Sequence, residues 1–218
     1  MYYTSKLLPQ YDVRDGLIAD WPMNEGSGTT INNKIAGGQV GTLNGSGGWI
    51  SENGFNRPVF NGVNSTISIG NYLSWPPMAN FTLNMWFKSS GYGPGMTYAG
   101  LISLYYSFRL CLYSNSCWFS YYNTTAVYAY LSLMNSAYHN VSMVYGGTNV
   151  LLYIDSVLVA SAARSYNARQ SLNSYIGHDV NNPNVSKFMG RIGDVRIYDR
   201  ALNQPEIALI SSLNKYKY

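Results

Sequence analysis

The chain carries little charge. Of its 218 residues, 11% are Asp, Glu, Lys or Arg, against roughly 25% in an average soluble domain. Net charge is +4, and no two basic residues are adjacent. A nucleic-acid-binding protein normally shows a concentrated basic face, so that function is not expected. Long apolar runs are missing too: no segment reaches the roughly 18 apolar residues of a membrane span. Met1–Gln10 holds no apolar stretch long enough for the core of a signal peptide, so no cleaved leader is expected there. Two His and two Cys are too few and too scattered for a zinc site.

Acids are equally sparse. Acid–base glycoside hydrolysis needs two carboxyl groups about 5–10 Å apart across the sugar. On one strand face these would stand two or four residues apart. None of the ten acidic residues forms such a pair within an expected strand. Asp194 and Asp199 are five apart and point to opposite faces. No strained Gly-x-Ser-x-Gly elbow supports a serine nucleophile. No catalytic residue is nominated, and an enzyme is not expected.

What is present is apolar and aromatic: 46% hydrophobic residues and 21 Tyr, enough for a substantial core under a polar but weakly charged surface. Period-two patterning dominates. Phe81, Leu83, Met85 and Phe87 alternate with Thr82, Asn84, Trp86 and Lys88, as in a strand with two distinct faces. Short β-rich runs follow at 141–145, 150–154 and 157–161, with Gly146-Gly147 and Asp155-Ser156 as tight turns. Segments 109–113 and 117–122 read as a further hairpin. Short strands at regular spacing predict an all-β protein, a two-sheet antiparallel jelly-roll sandwich.

In the last strand, 188–198, Val195 and Ile197 share one parity and Ile192 has the other. A β-bulge at Gly193 would bring all three to the core. Beyond it, Asn203 as N-cap and Pro205 in the first turn open one short C-terminal helix. The domain is set at residues 16–213, with a Tyr-rich N-terminal arm at 1–15 and a tail at 214–218. Cys111 and Cys117 flank Leu-Tyr-Ser-Asn-Ser. A hairpin turning near Ser114 would set them opposite one another for a disulfide; the alternative is two reduced, half-buried thiols.

Four segments together resemble the laminin-G-like jelly-roll family of the concanavalin A-like lectin/glucanase superfamily. They are Gly16-Leu-Ile-Ala-Asp-Trp-Pro-Met-Asn-Glu-Gly-Ser-Gly-Thr29, Val59-Phe-Asn-Gly-Val-Asn-Ser-Thr-Ile-Ser-Ile69, Phe81-Thr-Leu-Asn-Met-Trp-Phe-Lys88, and the run from Val144 to Ala160. A fifth, Gly190 to Leu202, is similar to the family's closing strand. The resemblance implies a non-catalytic module that binds glycans or proteins, often with a structural calcium ion near the sandwich edge. This chain departs from the family at the acids: Asn24, Asn61, Asn64-Ser65 and Gly193 stand where carboxylates are usual. Calcium needs several charged oxygen ligands. The site is therefore expected to be lost or weak, with Glu25 and Asp194 its best surviving ligands and no cofactor required. Few carboxylates also suggest tolerance of acid, since protonation then removes fewer native interactions.

Aromatics are the remaining candidates for function, because sugar rings stack their C–H faces on Trp and Tyr. The glycan-binding candidates are Trp118, Tyr121, Tyr98 and Tyr92, with Trp75 nearby in type; Trp21 and Trp86 are assigned to the core. Six Asn-x-Ser/Thr sequons occur, at Asn44, Asn64, Asn80, Asn123, Asn140 and Asn184. The expected role is a structural or attachment component of a virion or cell-surface appendage, extracellular or on the virion surface. It would assemble as a homo-oligomer or with other particle subunits, its arm docking on a neighbour, and bind host glycan. The alternative is a free-standing secreted carbohydrate-binding or adhesion module.

Overall fold

In a computed structural model, residues 13–70, 80–104, 108–113, 116–121, 124–163, 173–180 and 186–214 are described, with side chains at all of these except 117–121, 124–126 and 214. The expected arm therefore lies mostly outside the described residues, as do Trp75, Asn123, Asn184 and the tail from 215.

The first strands are β1 (Leu17–Trp21), β2 (Thr30–Ile31), β3 (Gly41–Asn44), β4 (Trp49–Glu52), β5 (Phe55–Asn61) and β6 (Thr66–Ser68). Next come β7 (Asn80–Tyr92), β8 (Ala99–Leu104), β9 (Phe108–Tyr113), β10 (Ser116–Tyr121) and β11 (Thr124–Tyr130). The chain continues through β12 (Tyr138–Gly146), β13 (Asn149–Ile154), β14 (Val157–Ala163), β15 (Ser174–Ile176) and β16 (Phe188–Tyr198), then helix α1 (Gln204–Asn214).

Two eight-stranded antiparallel sheets result. One runs β14-β13-β12-β7-β16-β5-β4, with β1 also on β16; the other runs β11-β10-β9-β8-β15-β6-β3-β2. The expected all-β sandwich with one C-terminal helix is what forms. Between the sheets lies one core, in which Phe81, Leu83, Met85 and Phe87 of β7 meet Leu101, Ile102, Phe108, Leu110 and Leu112 of the facing sheet. Trp21 is wholly buried in it and donates from Nε1 to Gln39 O at 2.9 Å.

The bulge in β16 is real, and Ile192, Val195 and Ile197 are all fully buried. It opens between Gly193 and Arg196, but the left-handed residue is Asp194, φ 47°. A short side chain that bonds locally tolerates this conformation, so glycine is not what the bulge needs. The bulge also divides the strand's neighbours: Met189–Arg191 pair with β5, and Val195–Tyr198 pair with β1.

Between Ile154 and Val157, Asp155 (φ 49°) and Ser156 (φ 71°) make the expected two-residue turn. On α1, Asn203 and Glu206 form a reciprocal cap: Glu206 N donates to Asn203 Oδ1 at 3.0 Å, and Asn203 N to Glu206 Oε2 at 2.8 Å. Arg200 braces the same carboxylate at 2.8 Å. Ile207 and Ile210 then press onto Val144, Tyr153, Tyr198 and Leu202.

Both faces of β7 are covered: Thr82, Asn84 and Trp86, on the face away from the sandwich core, are all buried. Away from solvent, the Asn84 carboxamide bonds across strands to β12. Asn84 Nδ2 donates to Asn140 Oδ1 at 2.9 Å and to Ser142 Oγ at 2.7 Å, and Asn140 Nδ2 donates to Met85 O at 3.3 Å. Asn140 is thereby removed as a glycan acceptor, while Asn44, Asn64 and Asn80 stay exposed.

Candidate functional site: a tyrosine face on the second sheet

Strand alternation decides which side chains the β9–β10–β11 edge presents outward. Leu110, Leu112, Val127 and Ala129 belong to the core. Residues of the other parity form cross-strand rows on the outer face. Ser116 stands opposite both Tyr113 and Tyr130, and Trp118 opposite both Cys111 and Tyr128. Tyr113, Tyr128 and Tyr130 are 50%, 47% and 83% exposed. The rings of Tyr128 and Tyr130 lie 6.2 Å apart and nearly parallel. The exposed rings thus stand on β9 and β11, on the same face either side of β10. These tyrosines were not among the expected candidates, although the alternation Val127-Tyr128-Ala129-Tyr130 signals them.

The ladder corrects the cysteine expectation. Tyr113 pairs with Ser116, so Cys111 opposes Trp118 while Cys117 opposes Leu112. One step of register puts the two cysteines on opposite faces of the hairpin. Cys111 is a buried thiol outside any disulfide.

Tyr98 is also corrected. It is 9% exposed and clusters with Cys111, so its ring offers no platform. Its hydroxyl donates to Asp179 Oδ2 at 2.7 Å, and Arg109 Nη1 reaches the same oxygen at 2.7 Å. Burial and the Asp179 carboxylate push the Tyr98 hydroxyl well above the ordinary phenol range. Nearby, Ser103 Oγ donates to His178 O at 2.9 Å and accepts from Val180 N at 2.9 Å. His178 is buried edge-on to Tyr175, and desolvation, with Lys187 second, lowers its pKa to about 4. This layer is a structural support beneath the loops.

The other candidates disperse. Tyr92 packs half-buried against the core at the end of β7. Trp118 and Tyr121 do not share a face: Trp118 has the outer register, whereas Tyr121 stands opposite the core residue Phe108. The side chains of Trp118 and Tyr121 lie outside those described. Of the expected groove of Trp118, Tyr121 and Tyr98, only Tyr98 has a described side chain, and it is buried.

At the calcium candidates, Glu25 Oε1 accepts from Asn32 N at 2.8 Å, and Asp194 is buried with Arg196 Nη2 at 4.0 Å. Asn61, at a position where the family favours Asp, accepts instead from the backbone N–H groups of Val63, Asn64 and Ser65 at 2.9–3.1 Å. Its carboxamide oxygen ties up the loop as a carboxylate would, without the charge a cation needs. Among the described residues no three His, Cys, Asp or Glu side chains gather as metal ligands.

The architecture is an antiparallel two-sheet β-sandwich. The chain belongs to the concanavalin A-like lectin/glucanase superfamily, whose laminin-G-type family model matches residues 61–208. Comparison with curated proteins gives no match. Among solved structures, similar folds include the binding domain of Paraclostridial Mosquitocidal Protein 1, at 12% identity and a TM-score of 0.73 over 94% of this chain and 53% of that one. The binding domain of botulinum neurotoxin DC is similar in its complexes with SialylT (11% identity, TM-score 0.71) and with rat synaptotagmin II (11%, TM-score 0.72). Each of those matches covers 95% of this chain and 53% of the toxin domain, so the present chain spans about half the length of the structures it resembles. At these identities the likeness shows the fold alone. Among the described residues no helix is long and apolar enough to cross a membrane.

Proposed function

We propose that the chain is a non-catalytic attachment module, exposed outside the cell or on a virion or appendage surface, that binds a glycan through the tyrosine face. The exposed, stacked Tyr128–Tyr130 pair, with Tyr113 across β10 on the same face, carries the reading. A tyrosine presents an apolar ring for a sugar's C–H face and a hydroxyl for its OH groups, at little cost in side-chain entropy. The toxin-domain folds, one of them solved with SialylT, support recognition of a glycan. A glycan array followed by titration of the best ligand tests it. Tyr128→Ala and Tyr130→Ala should each weaken binding roughly tenfold with unfolding unchanged. Absence of any array signal, or undiminished binding by both variants, would remove the assignment.

Assembly into a particle is a second reading. Leu131, 37% exposed, extends the same edge beyond Tyr130, and Tyr is enriched at protein interfaces. Light scattering separates the readings: a defined oligomer dissociated by Tyr130→Ala would make this face a subunit contact.

A further inference from the structure

On the opposite sheet a cleft of about 810 Å³ opens between α1, the turn at Asp155-Ser156 and the end of β4, within the range of about 300–1,000 Å³ typical of small-molecule sites. Trp86, Glu52, Lys88, Tyr138 and Asp155 line it, with Ser211 and Ser212 on the helix side. It shares no residue with the tyrosine face. We propose that this cleft is a separate binding site for a neutral, hydroxyl-rich small molecule of the mono- or disaccharide class.

The charges point to a neutral ligand. Glu52 takes Lys88 Nζ at 3.4 Å on one oxygen and, on the other, Arg191 Nε at 3.2 Å and the Tyr138 hydroxyl at 2.5 Å. Burial alone would raise the Glu52 pKa, but the Tyr138 hydrogen bond, Arg191 and Lys88 outweigh it and hold the carboxyl below its ordinary value. Asp155 receives His139 Nδ1 at 2.8 Å and Asn140 N at 2.8 Å. Two carboxylates thus stand against Lys88 and Arg191, and a charged ligand would enter without a surplus of opposite charge.

The groups are also held before any ligand arrives. Lys88 Nζ lies 5.2 Å from the Tyr138 ring centroid while bound to Glu52, so little side-chain freedom remains to be lost. Asn53, Ser136, Asp155 and Ser156 all have positive φ and all line the cleft. Only two other described non-glycine residues, Met23 and Asp194, share that conformation. Serine has no particular tolerance for it, and strained backbone tends to gather at functional sites. Lysine ammonium, carboxylate oxygens and serine hydroxyls around one opening form the alternating donor–acceptor set that vicinal hydroxyls satisfy.

The test is saturation-transfer NMR of the full chain with glucose, galactose, mannose, N-acetylglucosamine, lactose and trehalose, and sialic acid as the charged comparison. At least one neutral sugar should bind and sialic acid should not. Ala208→Trp, which fills the cleft from an exposed helix position, should weaken that binding by roughly tenfold or more. Ser212→Arg, on the same wall, serves if the first variant does not fold. Tyr130→Ala should leave the signal unchanged, so this proposal and the glycan reading of the tyrosine face fail separately. Silence from every neutral sugar, binding that survives the filling variant, or loss in Tyr130→Ala would overturn it.

Discussion

The carboxylate of Asp179 lies fully buried 2.7 Å from the guanidinium of Arg109, and the Tyr98 hydroxyl donates to the same oxygen. Arg109 comes from β9 and Asp179 from the segment after β15, so the pair ties a loop to the face of the second sheet. Removing one partner of a buried ion pair leaves the other's desolvation uncompensated. Arg109→Met should therefore cost about 3–5 kcal/mol, read as a lower denaturant midpoint with unchanged slope.

Acid should destabilise the protein, against the tolerance its few carboxylates suggest. Burial lowers the His178 pKa from 6.5 to about 4. The unfolded chain takes up this proton first as pH falls. The contribution is complete above pH 6.5 and is lost between 6.5 and 4, on the order of 3 kcal/mol. Glu52 and Glu206 have lowered pKa values, so their contribution persists above 4.5 and is lost below it. Unfolding curves at pH 7, 5.5 and 4 should show the decline, and His178→Gln should flatten its upper part.

The N-cap of α1 makes a smaller, local contribution. Asn203→Ala removes the acceptor for Glu206 N and should cost about 1 kcal/mol. The same variant should raise amide exchange in the first turn of the helix while leaving β7 protected.

The cysteines should behave as thiols. Mass spectrometry after alkylation in denaturant, without reductant, should show both Cys111 and Cys117 modified. The native melting temperature should not change on adding dithiothreitol.

Calcium should likewise have no effect. Melting temperatures in millimolar calcium chloride and in chelator should coincide, because ligand binding to the native state would separate them. An upward shift with calcium would reinstate Glu25 and Asp194 as ligands.

Much of the sandwich was legible because burial imposes a period of two. The parity break among Ile192, Val195 and Ile197 located the bulge, and Asn203 with Pro205 located the helix. Register was not legible at the Cys111–Cys117 hairpin: moving the turn by half a residue exchanges the faces, and the residues between the cysteines do not distinguish the two. Tyr98 could not be assigned either, since its burial depends on Arg109 and Asp179, 11 and 81 residues away.

By itself the sequence determined the fold class and most of the strands, because these follow from local alternation and composition. Tertiary structure alone decided which aromatics face solvent and which acids are neutralised. Both depend on partners distant in the chain: Asn84 is buried against Asn140 and Ser142, Ser116 of β10 stands between Tyr113 and Tyr130, and Arg191 and Lys88 converge on Glu52.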